Sequence, residues 1–418
     1  MQSAKIANKI KFLNFIIPNK LMQSKTIIDL LSNETFRKFI GLHLKEDVKK
    51  LALNAKKYTG IDIKAASALI SLYQKAELKL PEHYKALAAL NNKSYEQSTS
   101  EAVAKYKAQI MQIENKCIIN ITGGLGIDDW AMANYALKID SCETDVVIHN
   151  VGVYNSNLFN NTNITRHFID GIAFVKNYDP VNIIYADPDR RPNSGRMFRL
   201  EDSEPDVLSN MPLLLGKASE VWIKISPMAD ISYLQRSFPS LNKLYVIAWL
   251  GEVKEILICC TKIKTDEIKT VAVNITPKQI YTYEKPKIVI LPRYNNFGKY
   301  LYEPNRAIIK AGLSAEYSQT TGLPMLSSKS NFFISDKLHI PFQGRAFEII
   351  ERIHYKPRFI EAYLKAQKIV QANITIRNFR ETTEQLRKRF GLKDGGNDYL
   401  CFTTDTAGES WLFHCKQF

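Results

Sequence analysis

No apolar run in this 418-residue chain approaches the roughly 20 residues needed to cross a bilayer. Lys5, Lys9 and Lys11 precede Phe12-Leu-Asn-Phe-Ile-Ile17 in the manner of a signal peptide. That run is too short, Pro18-Asn-Lys follows it, and no small-residue cleavage site is present. Residues 1–22 are therefore expected to be a disordered extension, with better-behaved sequence opening at Met22. Cysteine is equally sparse. The six are Cys117, Cys142, Cys259, Cys260, Cys401 and Cys415, with no C-x-x-C pair, and the seven histidines include no H-E-x-x-H. This argues against a disulfide framework and a zinc site, and for reduced, mostly buried thiols in a cytoplasmic protein. Neither a metal nor a membrane partner is expected.

What the chain has in excess is positive charge. Its composition is ordinary for a folded soluble protein, 45% apolar and 24% charged, but the formal net charge is +15. Such an imbalance favours a polyanionic partner, nucleic acid first and an anionic membrane surface second. A soluble protein that merely carries surplus lysine is the plainer alternative.

The length suggests two or three domains. Residues 23–115 carry helical periodicity: Phe36, Phe39, Ile40 and Leu44 share one face, as do Val48, Leu51, Ala52 and Ala55, and then Ala65, Ala66, Leu69, Ile70 and Tyr73. Residues 1–60 hold 12 Lys and Arg against 4 Asp and Glu, an excess of 8 that solvated helix faces or phosphate contacts would both explain. Between 116 and 280, apolar strands alternate with mixed segments at 117–122, 139–143, 164–169, 181–186, 220–226, 243–250 and 255–261. Alternation of this kind predicts an α/β fold with a mainly parallel sheet covered by helices. The last two strands are separated only by Gly251-Glu-Val-Lys254, which suits an antiparallel hairpin. Tyr281-Thr-Tyr-Glu-Lys-Pro286 reads as a linker, and 287–418 as a further α+β domain. Within it a strand is expected at 372–377, a basic helix at 382–390 and a strand at 399–403. Residues 351–393 carry 11 Lys and Arg against 4 Asp and Glu.

Two turns could carry chemistry. In the first, the strand Cys117-Ile-Ile-Asn-Ile runs into Thr122-Gly-Gly-Leu-Gly126, followed by Ile127 and Asp128. Glycines let backbone pass close to a ligand. The spacing is not the dinucleotide pattern G-x-G-x-x-G, because Asp129 stands three residues after Gly126. Glu143, 20 residues beyond Gly123 at the end of the next strand, is placed to accept two ribose hydroxyls, or else caps a helix. Asp170 ends the third strand and could accept an adenine amino group while capping the next helix. The second turn is Tyr185-Ala-Asp-Pro-Asp-Arg-Arg-Pro192. Ligands bind at the carboxyl ends of parallel strands, and an Asp-Pro there resembles the Asn/Asp-Pro-Pro-aromatic signature of amino-group methyltransferases. In that arrangement the Asp187 side chain and the Pro188 carbonyl accept hydrogen bonds from a substrate NH2, and Asp187 can act as a base. Asp189, Arg190 and Arg191 stand where the aromatic would be, so Arg190 or Arg191 would stack on a base or grip a phosphate, unless the segment is only a charged loop. Upstream, Ser98 and Glu101 have capping-box spacing. A helix start at Ser100 and Glu101, just before the first strand, could meet a cofactor carboxylate. Ser226-Pro227 ends the strand Val221–Ile225 with no cysteine nearby, which argues against covalent thiol catalysis.

The series Gln97–Lys107, Asn120–Asp128, Asp187-Pro-Asp-Arg-Arg191 and Lys224-Ile-Ser-Pro-Met-Ala-Asp230 resembles bacterial class I S-adenosylmethionine (SAM) methyltransferases with a THUMP-like C-terminal domain, known mainly from Bacteroidetes-type proteins. Tyr302-Glu-Pro-Asn305, Phe342-Gln-Gly-Arg345, Ala372–Phe379 and Lys393-Asp-Gly-Gly396 extend the resemblance over about residues 25–418. It implies an N-terminal helical region, a Rossmann-like methyltransferase core and a ferredoxin-like or THUMP-like tail suggestive of RNA contact. It implies SAM contacts at Asn120, Thr122, Gly123, Gly124, Gly126, Asp128, Glu143 and Asp170, and a reactive turn at Asp187, Pro188, Arg190 and Arg191. The family has Asp where this chain has Asn120, so a weaker grip on the SAM ammonium is expected.

The resulting expectation is N-methylation of a nucleobase in tRNA or rRNA. Two alternatives stay open: a non-catalytic RNA-binding protein on a methyltransferase scaffold, and a methyltransferase of a small molecule or protein.

Overall fold

The computed structural model of the protein describes residues 27–190, 200–263, 265–286 and 298–418. The expected extension at 1–22 lies outside them. The chain forms two compact units. One comprises residues up to 229 with 233–242 and 258–265, and the other comprises 230–232, 243–257 and 266–418.

The first unit begins with helices α1 (Glu34–His43), α2 (Val48–Leu53), α3 (Ile63–Lys79), α4 (Pro81–Lys85), α5 (Asn92–Gln97) and α6 (Glu101–Ile110). Asn33, Asp47, Asp62, Asn91 and Ser100 each accept a backbone N–H at a helix start, which satisfies donors that have no partner inside the helix. Phe36, Ile40, Ala66, Leu69, Ile70 and Tyr73 are buried as their periodicity predicts. In six-residue α2 only Leu51 is buried, and Ala52 and Ala55 face solvent. This helical core also contains Leu125, Ile127 and Val151, so the helices and the segment after residue 117 share one apolar cluster.

The principal sheet has nine strands: β1 (Cys117–Asn120), β2 (Lys138–Glu143), β3 (Ile164–Phe168), β4 (Val181–Ala186), β5 (Ala218–Ile225), β6 (Leu241–Trp249), β7 (Glu252–Thr261), β8 (Lys269–Ile275) and β9 (Ile280–Glu284). Their order is β9-β8-β6-β7-β5-β4-β1-β2-β3. All seven expected strands appear. β1 pairs in parallel with both β2 and β4, β2 with β3, and β4 with β5. The order reverses at β1, which opens a crevice at the carboxyl ends of β1 and β4. β6 and β7 are neighbours joined at Leu250 and Gly251, both at positive φ. Helices α7 (Ile127–Ala133), α8 (Val146–Leu158) and α9 (Gly171–Lys176) follow β1, β2 and β3 in turn, and α10 (Met211–Lys217) and α11 (Ile231–Ser237) flank β5.

The expected linker at 281–286 is largely a strand. β9 pairs antiparallel with β8, which itself runs parallel to β6. Along β9 only Tyr283 is buried, because β9 is an edge strand and its polar alternation resembles that of a loop.

The C-terminal sheet has six strands: β10 (Tyr300–Pro304), β11 (Phe333–Ser335), β12 (Gly344–His354), β13 (Asn373–Arg377), β14 (Tyr399–Thr404) and β15 (Ser410–Gln417). Their order is β11-β10-β12-β15-β14-β13. With it come α12 (Arg306–Lys310), α13 (Ser314–Thr321), α14 (Pro357–Ala366) and α15 (Thr383–Phe390). The expected strand, basic helix and strand are β13, α15 and β14. Thr382 and Gln385 form a capping box at the start of α15, and Gly391 closes its end at φ 63°. Ile360, Leu364, Leu386, Leu400 and Phe402 form one apolar cluster of this sheet, and Leu301, Phe332, Phe347 and Phe413 another.

Candidate active site

The carboxyl ends of β1, β2 and β4 open onto a cavity of about 310 Å³, inside the ~300–1,000 Å³ range of small-molecule clefts. Asn120, Thr122, Gly123, Gly124, Gly126, Asp128, Glu143, Asp170, Asp187 and Asp189 all line it. The two turns singled out in the sequence, 64 residues apart, therefore face one space. Thr122 joins them directly: its Oγ1 accepts the Asp187 N–H at 2.6 Å. Pro188 is not part of the lining. The side chain of Arg190, and the whole of Arg191, lie outside the described residues.

The cavity is acidic although the chain is basic. Among the described residues seven carboxylates line it, from Asp128, Glu143, Asp145, Asp170, Asp187, Asp189 and Glu204, against the one cation of Lys93. Two of them are neutralised from behind. Lys107 Nζ lies 2.9 Å from Asp128 Oδ1. It also donates to Tyr185 Oη and Thr99 Oγ1, and the Tyr185 hydroxyl donates to Asp128 Oδ2. Burial pushes the Asp128 carboxyl up, but Lys107 and Lys224 more than reverse this and hold it below its ordinary value. Lys224 Nζ donates to Asp187 Oδ2 at 2.6 Å. Here burial prevails over Lys224, and the Asp187 carboxyl sits above its ordinary value. Lys107 is only 2% exposed. Its sequence signal was a lysine on the buried face of α6 beside Val103, Ala104 and Ala108.

Much of the glycine turn serves an internal cation. Arg166, on β3 with a side chain 3% exposed, pairs with Asp129 at 2.8 Å and donates to the carbonyls of Gly123 and Gly124 and to Ser141 Oγ. A Cβ on Gly123 would lie 2.5 Å from Ser141 Oγ and 2.8 Å from Arg166 Nη1, and one on Gly152 would meet the same guanidinium. Gly123 is thus dictated by Arg166 as well as by any ligand. Gly126 caps α7 at φ 83°, a conformation other residues rarely adopt.

Asn120 belongs to the same network. Its Nδ2 donates to Asp129 Oδ1 at 2.6 Å, and its Oδ1 accepts the Thr122 N–H at 3.0 Å. An aspartate here would set two carboxylates against each other, so the amide is matched to Asp129. Asn120 also lines the cavity, so its amide faces both this buried partner and the space a cofactor would fill.

Glu143 faces the glycine turn, with its oxygens accepting the Gly124 N–H at 2.9 Å and the Asp145 N–H at 2.8 Å. Asp170 caps α9 by accepting the Ala173 N–H. Ser100 and Glu101 do not line the cavity, whereas Ser98 and Thr99 do. The cap of α6 is Ser100, not Ser98, and no box forms with Glu101. Glu101, 1% exposed, instead accepts the Glu82 and His83 N–H groups of α4 and pairs with His83 Nδ1 at 2.7 Å. Burial pushes its carboxyl up, but His83 and the α4 backbone hold it below the ordinary value.

Cys142, which lines the cavity, is pushed up to about 12 chiefly by burial. Such a thiol is not a nucleophile near neutral pH. Cys259 and Cys260 are fully buried on β7. Among the described residues no cluster of three His, Cys, Asp or Glu could hold a metal ion, and no helix is long and apolar enough to cross a membrane.

These acceptors suit one class of cofactor. With Asp128 and Asp187 paired to lysines, the remaining carboxylates would still repel a dinucleotide's phosphates and attract the sulfonium and ammonium of SAM. Gly124, where the only atom near an added Cβ would be the Thr122 carbonyl at 4.0 Å, leaves room for close approach.

Comparison with known proteins agrees. Residues 300–342 match a ferredoxin-like domain and residues 344–417 a THUMP domain-like family. A Mycobacterium tuberculosis protein (strains CDC 1551 and H37Rv), described as an uncharacterised S-adenosylmethionine-dependent methyltransferase, is 24% identical over 333 residues, 77% of this chain and 86% of the relative. The crystal structure of a candidate methyltransferase from Porphyromonas gingivalis W83 superposes with a TM-score of 0.76 at 25% identity, covering 94% of this chain and 98% of that one. The chain carries ferredoxin-like and THUMP-like domains at its C-terminus, and along most of its length it is similar to proteins described as S-adenosylmethionine-dependent methyltransferases.

Proposed function

We propose that the protein N-methylates a nucleobase in RNA, tRNA or rRNA, in the cytoplasm. The observation that carries this is the Thr122 hydroxyl holding the Asp187 backbone, which puts an acidic Asp-Pro turn and the glycine turn on one cavity. SAM supplies an electrophilic methyl group. Thr122, Gly123, Gly124 and Gly126 would hold it through backbone, Glu143 at the ribose hydroxyls and Asp170 at the adenine amino group. Asn120 and Asp128 line the same cavity and would face the methionine end, as would Ser98 and Thr99 just ahead of α6. Asp187 Oδ and the Pro188 carbonyl would accept hydrogens from the base NH2 and aim its lone pair; such positioning is worth up to about 7–11 kcal/mol. The raised Asp187 carboxyl is suited to take the proton that the methylated nitrogen loses. Arg190 and Arg191 follow directly and would stack on the base or grip a phosphate. The RNA reading is supported by the net charge of +15, concentrated outside the acidic cavity.

Mass spectrometry of nucleosides from deletion and parent strains tests this. One methylated base should disappear and return with the wild-type gene. An unchanged nucleoside profile would remove RNA as the substrate. A ribose hydroxyl is a second reading, favoured by the Asp187 carboxyl that burial holds above its ordinary value, because an oxygen nucleophile needs a base more than an amine does. Loss of a ribose-methylated nucleoside in the same experiment would select it.

Glu143→Gln keeps an acceptor for the Gly124 N–H but removes the charge. A hydrogen bond to a charged group contributes about 1.5–3 kcal/mol, so S-adenosylhomocysteine should bind at least ~10-fold more weakly. An unchanged Kd by calorimetry would place the ribose elsewhere.

A further inference from the structure

A second cavity, of about 260 Å³, lies in the C-terminal unit and has no part in the chemistry above. Arg306, Arg345, Arg377 and Arg387 line it. They come from α12, β12, β13 and α15, so three helix or strand neighbours and one edge strand bring four guanidinium groups to one place.

A buried carboxylate organises them. Glu303 on β10 is 4% exposed. Arg345 Nε donates to its Oε2 at 2.8 Å, and Arg377 Nη2 lies 2.7 Å from its Oε1. β10 and β13 stand four positions apart in the sheet order, which in a flat sheet is about 19 Å. The Glu303–Arg377 contact, like the Arg345 hydrogen bond to Thr375 Oγ1 at 3.1 Å, therefore requires the sheet to curl. Arg387 is paired with Asp394. Four guanidinium groups against Glu303 and Asp394 leave a net charge of +2 on these six side chains. Hydrogen-bonding capacity is left over too. Arg377 Nε and Arg387 Nη1 are buried without a hydrogen-bond partner among the described residues. All five residues of β13 line the cavity, and β13 is an edge strand with no strand on its outer side among the described residues. Thr375 and Thr383 add hydroxyls.

Convergent guanidinium forks with residual positive charge and unsatisfied N–H donors are complementary to a compact, multiply charged oxyanion. We infer that this cavity is a phosphate-binding site and that its phosphate belongs to a strand of RNA. The surrounding segment 351–393 carries 11 Lys and Arg against 4 Asp and Glu, enough to follow a polyanion beyond one phosphate. The inference rests on the RNA reading of the methyl acceptor, and it assigns the C-terminal unit the task of holding the strand.

Arg345 and Arg377 are unsuited to a test, because removing either leaves Glu303 buried with one partner fewer. Arg306→Gln, Arg387→Gln and the double variant test the site in the full-length chain. Arg358→Gln on exposed α14, outside the cavity, removes the same charge as a control. Binding of bulk tRNA is measured over a salt series, with S-adenosylhomocysteine affinity and thermal melting as checks on folding. The double variant should bind tRNA at least about tenfold more weakly and show a salt slope smaller by about 1–2. Arg358→Gln should change both less, and cofactor affinity should not move. If Arg306→Gln and Arg387→Gln behave like Arg358→Gln, the site is wrong while RNA binding stands. If the wild type binds no tRNA but does bind S-adenosylhomocysteine, the RNA reading and this inference fall together. Inorganic phosphate and adenosine monophosphate form a separate arm. Micromolar mononucleotide binding that Arg387→Gln removes, with tRNA affinity untouched, would assign the cavity to free nucleotides and overturn the RNA assignment.

Discussion

Asp187→Ala lowers the rate of methyl transfer by about 10²–10⁴-fold, while S-adenosylhomocysteine still binds within a few fold of the wild type. The substitution removes the acceptor that faces the cavity but keeps the backbone N–H that Thr122 holds, so the turn itself should persist. It also leaves Lys224 without its carboxylate at 2.6 Å. Asp187→Asn, which keeps an oxygen for Lys224 and for an amino group, separates the two effects: it should bind cofactor normally and be slow because it cannot take a proton. The pH dependence carries the sign of the mechanism. Burial raises the Asp187 carboxyl against Lys224, and in the proposed mechanism the carboxylate is the active form, so the wild-type rate should fall as pH drops through that raised value. Asp187→Asn should lack that acidic limb. A wild-type rate in Asp187→Ala would place the reactive residue elsewhere.

Arg166→Leu should destabilise the fold by about 3–5 kcal/mol, a large share of the ~5–15 kcal/mol that holds a typical protein together. The guanidinium is buried, and its loss strands the Asp129 carboxylate, which is 1% exposed and already pushed up by burial against Arg166. The Gly123 and Gly124 carbonyls lose their donor at the same time. Denaturant unfolding measures the first effect, and loss of S-adenosylhomocysteine affinity at a temperature where the variant is still folded measures the second. Removing both members of a buried pair usually costs less than removing one, so Arg166→Leu with Asp129→Leu should recover part of the loss. A change below about 1 kcal/mol in the single variant would mean the network does not support the turn.

β1, β4, β5, β6 and β7 were legible because each holds a continuous apolar run bounded by polar or glycine turns, the pattern of strands buried on both faces, whereas β2 and β3 are mixed in character and were placed by the alternation around them. β9 was not, since an edge strand with one buried residue resembles a loop. The cavity's front was legible too: glycines after β1, an acid after β2 and Asp-Pro after β4 sit where strand ends place them. Its back was not. Arg166 stands between Thr165 and His167 on β3, and Lys107 on a helix that also carries Glu101 and Lys105; their partners lie 37 residues away at Asp129 and 78 away at Tyr185. No local periodicity specifies a partner at that distance. Asn120 shows the consequence, because its meaning depends on Asp129, nine residues on and buried against it. Glu101 shows the same: correct helix-start chemistry in sequence, but a carboxylate turned to α4 rather than to the cavity.

The most direct test is calorimetric titration of the purified full-length chain with S-adenosylhomocysteine, for wild type and Glu143→Gln in parallel. One saturable site in the wild type, weakened by loss of the Glu143 charge, is the predicted result. No heat at millimolar ligand would contradict the assignment of the acidic cavity to this cofactor.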